Sequence, residues 1–346
     1  MARKRQHNVV SPKRQRKVVA PKPVRIAVAG AGSIGCFVGG LLALAGHDVR
    51  FLGRARIIAA ARDGLRLTGF DGLDAVLEAP HMSEDPAEVL TGADLVLVCV
   101  KTADTADIAT HVAVHAPKAR VISLQNGVGN AEALRAALPG ADVRAAMVPF
   151  NVVARGPAHF HRGTSGDIVV EAGPLPALDT PHLAWRQSDR IEAVQWGKLL
   201  INLGNAVNAL ADIPLRDQLR DRAWRRIMAA QMAEALRVLR AAGIRPARST
   251  AAAPWLIPHI LRLPDALFVR IAAQMLTIDA EARSSMWEDL TLRRPTEIDA
   301  LQGVIVALAA EHGMQAPINA RLHGLIKAAE GAGEGPPGLR PSEVWG

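Results

Sequence analysis

Three glycines have the spacing of a backbone turn that can hold a phosphate. A short β-favouring run, Arg25 to Ala29, leads into a segment that fits the pattern G-x-G-x-x-G. In this pattern the first glycine allows a tight turn, the second lets the backbone approach a pyrophosphate, and the third lets a helix pack on a strand. The N-terminus of that helix then offers free N–H groups to phosphate. The candidate dinucleotide-binding residues are Gly30, Ala31, Gly32, Ser33, Ile34 and Gly35.

The same stretch also has the length of a membrane anchor. The 21 residues from Ile26 to Gly46 carry no charge and follow a basic leader, and about 20 apolar residues can span a bilayer. Six of these residues are glycine, however, and glycine costs up to about 1 kcal/mol relative to alanine in a helix. A helix that stops at Gly46, followed by a second strand at residues 47–52, instead completes a β-α-β unit. We therefore predict a dinucleotide-binding unit and no membrane span.

The residues after the second strand indicate which dinucleotide is bound. NAD sites usually have Asp or Glu there for the ribose 2′-hydroxyl, whereas this chain has Gly53-Arg54-Ala55-Arg56. A carboxylate would repel a 2′-phosphate, and a guanidinium can bind it with two hydrogen bonds. We predict NADP(H) as the cofactor with Arg54 as its first contact. A solvated surface arginine is the alternative.

Polar residues follow two further apolar segments of strand length. These segments are residues 94–100 and 120–124, and Lys101 and Asn126 come after them. Open α/β sheets bind ligands at the carboxyl ends of buried parallel strands, so both side chains are predicted to meet cofactor or substrate. For Asn126, a simple turn formed with Gly127 is the alternative.

After about residue 190 the pattern changes to long helical segments, so we predict an α/β Rossmann-type parallel sheet domain followed by an all-α domain. Before this change, Gly156 to Glu171 contains short β segments that could extend the sheet. His159 and His161 within it are interpreted as a solvated β face, and no metal site is expected. The predicted helices are Trp196 to Ala211, Asp221 to Ala242, Asp265 to Arg283 and Thr296 to Gly313. The predicted division is 1–23 as a basic, disordered tail, 24–188 as the NADP-binding domain, 189–333 as the helical catalytic domain and 334–346 as a flexible C-terminal tail.

The helical part contains two groups of residues that could do chemistry. Lys198 and Asn202 lie four residues apart, on one helix face that is otherwise bordered by apolar residues. Such surroundings disfavour the cation, so that the pKa of the lysine falls and its proton becomes available. A lysine that extends to solvent from a core helix is the alternative. Farther along, Pro295-Thr296-Glu297 is typical of a helix start, and from the pattern alone we interpret Glu297 as a capping residue.

The net charge of +8 is concentrated at the N-terminus. Residues 1–23 hold eight of the 41 Lys and Arg residues and no acid, so the rest of the chain has as many basic residues as its 33 acids. We interpret this tail as a dispensable extension, with weak docking on an anionic surface as the alternative, and we expect no specific nucleic-acid partner. Cys36 and Cys99 lie in apolar segments, which favours buried thiols in a reducing compartment, the cytoplasm, over a disulfide framework.

Four motifs occur in order along the chain: GAGSIG near the start, QNGVG after a strand, KLLIN in the first helix of the second domain, and SSMWEDL followed by RPTEID. Together they resemble the ketopantoate reductase family (2-dehydropantoate 2-reductase) over about residues 24–330. The resemblance implies a cleft between a Rossmann domain and a helical domain. It also implies NADPH-dependent reduction of 2-dehydropantoate, a small 2-keto acid, to (R)-pantoate on the way to pantothenate and coenzyme A.

The resemblance also implies a role for each matching residue. Lys198 matches the family's proton-donating lysine and Glu297 matches its acidic partner in the cleft, which reverses the interpretation of Glu297 as only a cap. The other matching residues bind ligands: Asn126 between nicotinamide ribose and substrate, Asn202 and Ser285 on the substrate, and Arg54 and Lys101 on the cofactor.

Two positions depart from the family's pattern. Ala206 stands where some members have a further substrate asparagine, and Ala282 stands where another asparagine can occur. Both departures weaken the assignment of the substrate more than that of the reaction. A related reductase of another small 2-keto acid is therefore the first alternative. A non-catalytic NADP(H)-binding regulator whose basic tail contacts nucleic acid is the second, and the sequence leaves open whether the chain forms a homodimer.

Overall fold

The computed structural model describes residues 23–273 and 281–345 of the chain. Its first part is an α/β domain built on a mostly parallel sheet, and its second part consists of helices, so the predicted fold class is confirmed. No helix within the described ranges is long and apolar enough to cross a membrane. The predicted basic tail lies outside these ranges except for Pro23.

The first domain contains two sheets. Its strands, as described, are β1 (Arg25–Ala29), β2 (Asp48–Leu52), β3 (Leu65–Gly69), β4 (Asp74–Leu77), β5 (His81–Ser83), β6 (Leu95–Val98), β7 (Arg120–Ser123), β8 (Val143–Met147), β9 (Val152–Gly156), β10 (His159–Arg162), β11 (Ile168–Glu171) and β12 (Trp185–Ser188). The main sheet has the order β12-β11-β8-β7-β6-β1-β2-β5, and β11 pairs antiparallel with β8 while the other pairs are parallel. Strands β1 and β6 lie at its centre and are almost fully buried, as expected for a sheet covered on both faces.

The uncharged segment that resembled a membrane anchor contributes β1 to the main sheet and a helix that lies between the two sheets. Its helix is α1 (Ser33–Leu44), which packs on β1 and β2 of the main sheet and on β3, β9 and β10 of the second sheet. A Cβ on Gly39 would lie 2.5 Å from the Phe51 ring, and one on Gly40 would lie 2.7 Å from Leu67. Because both faces of the helix are covered by protein, it is apolar all round and needs no charged side. The other helices of this domain are α2 (Ala55–Ala60), α3 (Pro86–Leu90), α4 (Thr105–His115) and α5 (Asn130–Ala137).

The second sheet corrects part of the prediction for Gly156 to Glu171. Strand β11 extends the main sheet as expected, but β10 belongs to a four-stranded sheet with the order β4-β3-β10-β9. The hairpin of β9 and β10 pairs with β3, far away in the sequence, and a local pattern cannot specify that partner. The Thr68 hydroxyl lies 2.8 Å from His159 Nε2 and 2.9 Å from His161 Nδ1, so both histidines contact a partner across this sheet.

The second domain begins after β12 and is helical. Its described helices are α6 (Ile191–Asn202), α7 (Gly204–Ala211), α8 (Leu215–Arg220), α9 (Arg222–Ala241), α10 (Ile257–Leu261), α11 (Asp265–Ile271), α12 (Ser285–Thr291), a π-helical turn (Asp299–Gly303), α13 (Val304–Glu311), α14 (Pro317–Ala332) and α15 (Pro341–Trp345). Helix α9 agrees with its prediction to within one residue at each end. Its start is capped by Asp221, whose side chain accepts a hydrogen bond from the backbone N–H of Ala223.

Several features of the helical domain differ from the predictions. The helix predicted from Thr296 to Gly313 consists of the π-helical turn and α13, which ends at Glu311. The helix predicted from Trp196 to Ala211 is divided at Leu203 into α6 and α7. The helix predicted from Asp265 ends at Ile271; residues 274–280 of that prediction lie outside the described ranges, and residues 281–283 are not helical. In the segment expected to be a flexible C-terminal tail, residues 341–345 form α15, Val344 is buried, and the Leu339 N–H bonds to the carbonyl of Leu210.

Candidate active site between the two domains

Two of the three glycines in the turn after β1 are required by close contacts, and the third lies in open space. Gly30 has a φ of +112°, and a Cβ there would lie 2.7 Å from the backbone nitrogen of Val100. A Cβ on Gly35 would lie 2.1 Å from the carbonyl oxygen of Gly30, so α1 packs on the turn at a distance that only glycine permits. A Cβ on Gly32 would meet no heavy atom within 4 Å. The open side of the turn is therefore at Gly32, at the N-terminus of α1, where backbone N–H groups can bind a phosphate.

The two predicted cationic contacts follow β2 and β6, the strands on either side of β1. Arg54 is exposed and lies immediately before α2. Lys101 extends to the helical domain, where its Nζ lies 2.8 Å from Asp289 Oδ1 and donates a 2.7 Å hydrogen bond to the carbonyl of Pro295. The glycine turn and both cations thus share one edge of the sheet, and Lys101 bridges the two domains.

Asn126 also bridges the domains, from the loop after β7. Its Nδ2 donates a 3.0 Å hydrogen bond to Glu297 Oε2. The side chain of Asn130 donates to the Asn126 carbonyl at 2.7 Å and thereby fixes the loop. A Cβ on Gly127 would lie 3.0 Å from the carbonyl oxygen of Ala300, so the loop lies directly against the helical domain. A simple turn at Asn126 and Gly127 does not account for this bond to a carboxylate.

Lys198 points from α6 toward the carboxyl edge of the sheet. Its Nζ donates a 3.2 Å hydrogen bond to the carbonyl of Pro149, just after β8. Burial lowers the pKa of Lys198 from its ordinary value, as the sequence pattern predicted for a lysine among apolar residues. Lys198 and Asn126 line the same small cavity, together with Gln195 and residues of β8. The Lys198 side chain therefore borders a cavity beside the Asn126 loop.

Glu297 does not cap the helix that follows it. The Ile298 N–H donates to the Thr296 hydroxyl, and the Glu297 carboxylate accepts a hydrogen bond from Asn126 instead of from a backbone N–H of that helix. Burial raises the pKa of Glu297, and the hydrogen bond from Asn126 and the charge of Lys101 oppose that rise. A carboxyl group in such a place holds a proton more readily than one in water.

Asn202 lies on α6 and Ser285 lies on α12. Asn202 is the last residue of α6, one turn after Lys198. Ser285 is exposed and begins α12, whose cap residue Ser284 hydrogen-bonds to the Asn205 carbonyl and to Asn208. Within the described ranges, no hydrogen bond or ion pair joins Asn202 or Ser285 to the other predicted site residues.

Sequence reasoning missed Asp289, the partner of Lys101. Its side chain is only 15% exposed, and burial raises its pKa although the Lys101 ammonium opposes the rise. The signal was present, because Asp289 lies four residues after Ser285 and therefore on the same face of α12. It could have been interpreted only with knowledge that Lys101 comes from the other domain.

The other reactive side chains in residues 23–273 and 281–345 form neither a metal site nor a disulfide. Cys36 and Cys99 are free thiols, and burial raises the pKa of Cys36 to about 12. In the described part of the chain, no group of three or more His, Cys, Asp or Glu side chains could hold a metal ion.

A dinucleotide-type turn, a buried lysine and a carboxyl group at the junction of an α/β and a helical domain define a two-domain oxidoreductase. The family model described as ketopantoate reductase PanE/ApbA matches residues 26–174, and the model of the family's C-terminal part matches residues 190–330. The chain belongs to the ketopantoate reductase family. This membership is at odds with the alternative of a non-catalytic regulator.

Individual proteins show the same similarity over nearly their full lengths. A 2-dehydropantoate 2-reductase of Halobacterium salinarum is 29% identical over 325 residues, which is 89% of this chain and 99% of the relative. The crystal structure of a PanE/ApbA family ketopantoate reductase from Ralstonia eutropha JMP134 has a TM-score of 0.75 and 32% identity, with 89% of this chain and 99% of that chain covered. D-mandelate dehydrogenase, solved with NADH and anilino(oxo)acetate, has a TM-score of 0.71 at 19% identity over 89% of this chain and 99% of that chain, which shows a shared fold.

Proposed function

We propose that the protein catalyses the NADPH-dependent reduction of 2-dehydropantoate to (R)-pantoate, a step toward pantothenate and coenzyme A. The observation that carries this proposal is the position of Asn126 relative to Lys198 and Glu297. Lys198 and Asn126 line one cavity, and Asn126 is hydrogen-bonded to Glu297. Membership in the family and the name of the Halobacterium salinarum relative support the same substrate.

The chain has residues that suit a phosphorylated dinucleotide. The turn at Gly32 leaves room for the pyrophosphate beside the N-terminus of α1. Arg54 is exposed at the end of β2, where its guanidinium would bind a 2′-phosphate. Lys101 would exchange part of its contact with Asp289 for the cofactor, and Asn126 would contact the nicotinamide ribose. NADPH, when bound, supplies the hydride for the 2-keto carbon.

Lys198 provides the proton that completes the reduction. Negative charge develops on the keto oxygen during the reaction, and a nearby ammonium stabilises it through a hydrogen bond before giving up the proton. Burial lowers the pKa of Lys198, so the proton leaves more readily than from a solvated lysine. The Pro149 carbonyl accepts another of the ammonium's hydrogen bonds and orients it.

The other polar residues hold the substrate in register. Glu297 orients Lys198 or accepts a hydrogen bond from the substrate hydroxyl. The hydrogen bond from Asn126 fixes the position of the Glu297 carboxyl group. Ser285 binds the substrate carboxylate and Asn202 adds a further polar contact, as in the family. Polar contacts at several points hold a small keto acid in the orientation that the reaction requires.

Reduction of another small 2-keto acid is the second candidate. Ala206 and Ala282 stand where some family members have asparagine, and Ala206 is completely buried, so neither position supplies an amide to the substrate. D-mandelate dehydrogenase, whose structure contains NADH and anilino(oxo)acetate, has the same fold.

NADPH oxidation with a panel of keto acids tests both candidates. We expect the highest kcat/KM with 2-dehydropantoate and a lower value with 2-ketoisovalerate, which lacks the hydroxymethyl group that Glu297 would contact. The same assay with NADH tests the cofactor. A higher kcat/KM for 2-ketoisovalerate or for a larger keto acid would favour the second candidate, and no oxidation with any 2-keto acid would refute both.

A further inference from the structure

The junction between α6 and α7 is held by side chains from two other helices. Leu203 is the residue between these helices and is completely buried. Its carbonyl oxygen accepts hydrogen bonds from Gln302 Nε2 at 2.8 Å and from Gln231 Nε2 at 3.1 Å. Leu203 itself keeps right-handed helical dihedrals, with φ −53° and ψ −30°. Its carbonyl is bonded by side chains of two other helical segments, at a boundary that the sequence did not predict.

Gln302 joins this junction to the segment that carries Glu297. It lies in the π-helical turn Asp299–Gly303, which begins two residues after Glu297. Its Nε2 also donates to Gln231 Oε1 at 3.2 Å, so the two glutamines and the Leu203 carbonyl form one buried group. π-helical turns are rare and occur frequently at functional sites, because the wider turn changes which residues face a neighbour.

The placement of an amide here is informative because its side chain is fully buried and only partly paired. Gln302 is 0% exposed, and its Oε1 has no hydrogen-bond partner among the described residues. A buried polar group that is not fully paired is costly. An apolar side chain of similar volume would avoid that cost but would leave the Leu203 carbonyl with one amide fewer.

We propose that Gln302 is a positioning residue, which fixes α6, and with it Lys198 and Asn202, relative to Glu297. The inference rests on the proposed function, because it concerns the spacing of that site. Lys198 lies five residues before Leu203 on α6, and Glu297 lies five residues before Gln302, so one hydrogen bond connects both elements just beyond the site. Gln302 itself touches neither cofactor nor substrate.

Gln302→Met tests this role, because methionine has a similar length and no N–H donor. The matched control is Asn319→Leu, which removes another fully buried amide from the same layer of helices. Asn319 donates to the Gln231 carbonyl and to Glu234, and it has no bond to Leu203. Both variants lose buried hydrogen bonds, so thermal unfolding measures the structural cost in each.

We expect Gln302→Met to lower kcat/KM for the keto acid by about 10- to 100-fold, as displacement of catalytic groups by about 1 Å can do. The Kd for NADPH, bound mainly by the first domain, stays within about twofold of wild type, and the pH profile of kcat shifts because Lys198 and Glu297 change surroundings. Asn319→Leu shows a comparable fall in Tm with little change in kcat. Equal kinetic losses in the two variants at matched Tm would overturn the proposal.

A crystal structure of Gln302→Met separates failure of this inference from failure of the proposed function. If the wild-type enzyme turns over no 2-keto acid, the proposed function fails, and the distance between Lys198 Nζ and the Glu297 carboxylate still tests the inference. A change in that distance with a rearranged junction at Leu203 supports it. An unchanged junction and distance contradict it.

Discussion

The side-chain amide of Asn126 donates a 3.0 Å hydrogen bond to the carboxylate of Glu297, which is 171 positions away in the sequence. Asn126 follows a strand of the α/β domain, and Glu297 precedes a helix of the second domain. The bond therefore joins the two domains, and it opposes the rise in the pKa of Glu297 that burial causes.

Asn126→Ala removes the donor to Glu297, so the pKa of Glu297 rises further. If the ionised carboxylate is the active form, the acidic limb of the profile of kcat/KM against pH moves to higher pH. Asn151→Ala, a change of the same residue type at an exposed position, serves as the control and leaves the limb in place. An acidic limb that stays unchanged in Asn126→Ala would mean that Glu297 does not govern it.

Lys198→Ala removes the proposed proton donor. We expect turnover to fall by about 10²- to 10⁴-fold, the usual contribution of a positioned acid or base, while NADPH still binds. Since the ammonium is the active form, wild-type activity is lost as pH rises through the lowered pKa of Lys198, below the range of a solvated lysine. Lys118→Ala, at an exposed position, is the control. Turnover that survives in Lys198→Ala would exclude the lysine as the donor.

Two substitutions in the glycine turn separate an effect on stability from an effect on NADPH binding. Gly35→Ala places a methyl group 2.1 Å from the Gly30 carbonyl oxygen and should reduce the free energy of unfolding by about 1–3 kcal/mol or more. Gly32→Ala has open space for its methyl group and should change stability by no more than about 0.5 kcal/mol. It should nevertheless weaken NADPH binding, because the methyl group stands where the pyrophosphate approaches. Thermal unfolding and NADPH titration distinguish the two variants. If Gly32→Ala retains the wild-type affinity for NADPH, the pyrophosphate does not bind at Gly32.

Arg54→Ala tests the preference for NADPH. A charge-assisted hydrogen bond to the 2′-phosphate is worth about 1.5–3 kcal/mol, so kcat/KM for NADPH should fall by about 10- to 100-fold. The value for NADH, which lacks that phosphate, should not change. Arg56→Ala is the control, because Arg56 is also exposed and lies two residues away. An equal loss of kcat/KM with both cofactors would show that Arg54 does not bind the 2′-phosphate.

Much of the fold follows from local patterns. The glycine turn at residues 30–35, the strands on either side of it and α9 with its Asp221 cap were all predictable, because each depends on neighbouring residues. The boundary at Leu203 was not predicted, and the side chains that bond to its carbonyl, Gln231 and Gln302, are far away in the sequence. The partner of β10 was also missed, because the sequence of a strand does not specify which distant strand it pairs with.

The sequence by itself determined the two-domain organisation, the glycine turn and the types of residue that could bind a dinucleotide and move a proton. Only the tertiary structure decided that Lys101 pairs with Asp289, that Asn126 bonds to Glu297, and that Lys198 bonds to the carbonyl of Pro149. Helix and strand periodicity records which face of an element is buried, but it does not record what covers that face. Distances between side chains on different domains, and the loss of water around them, arise only when the domains pack.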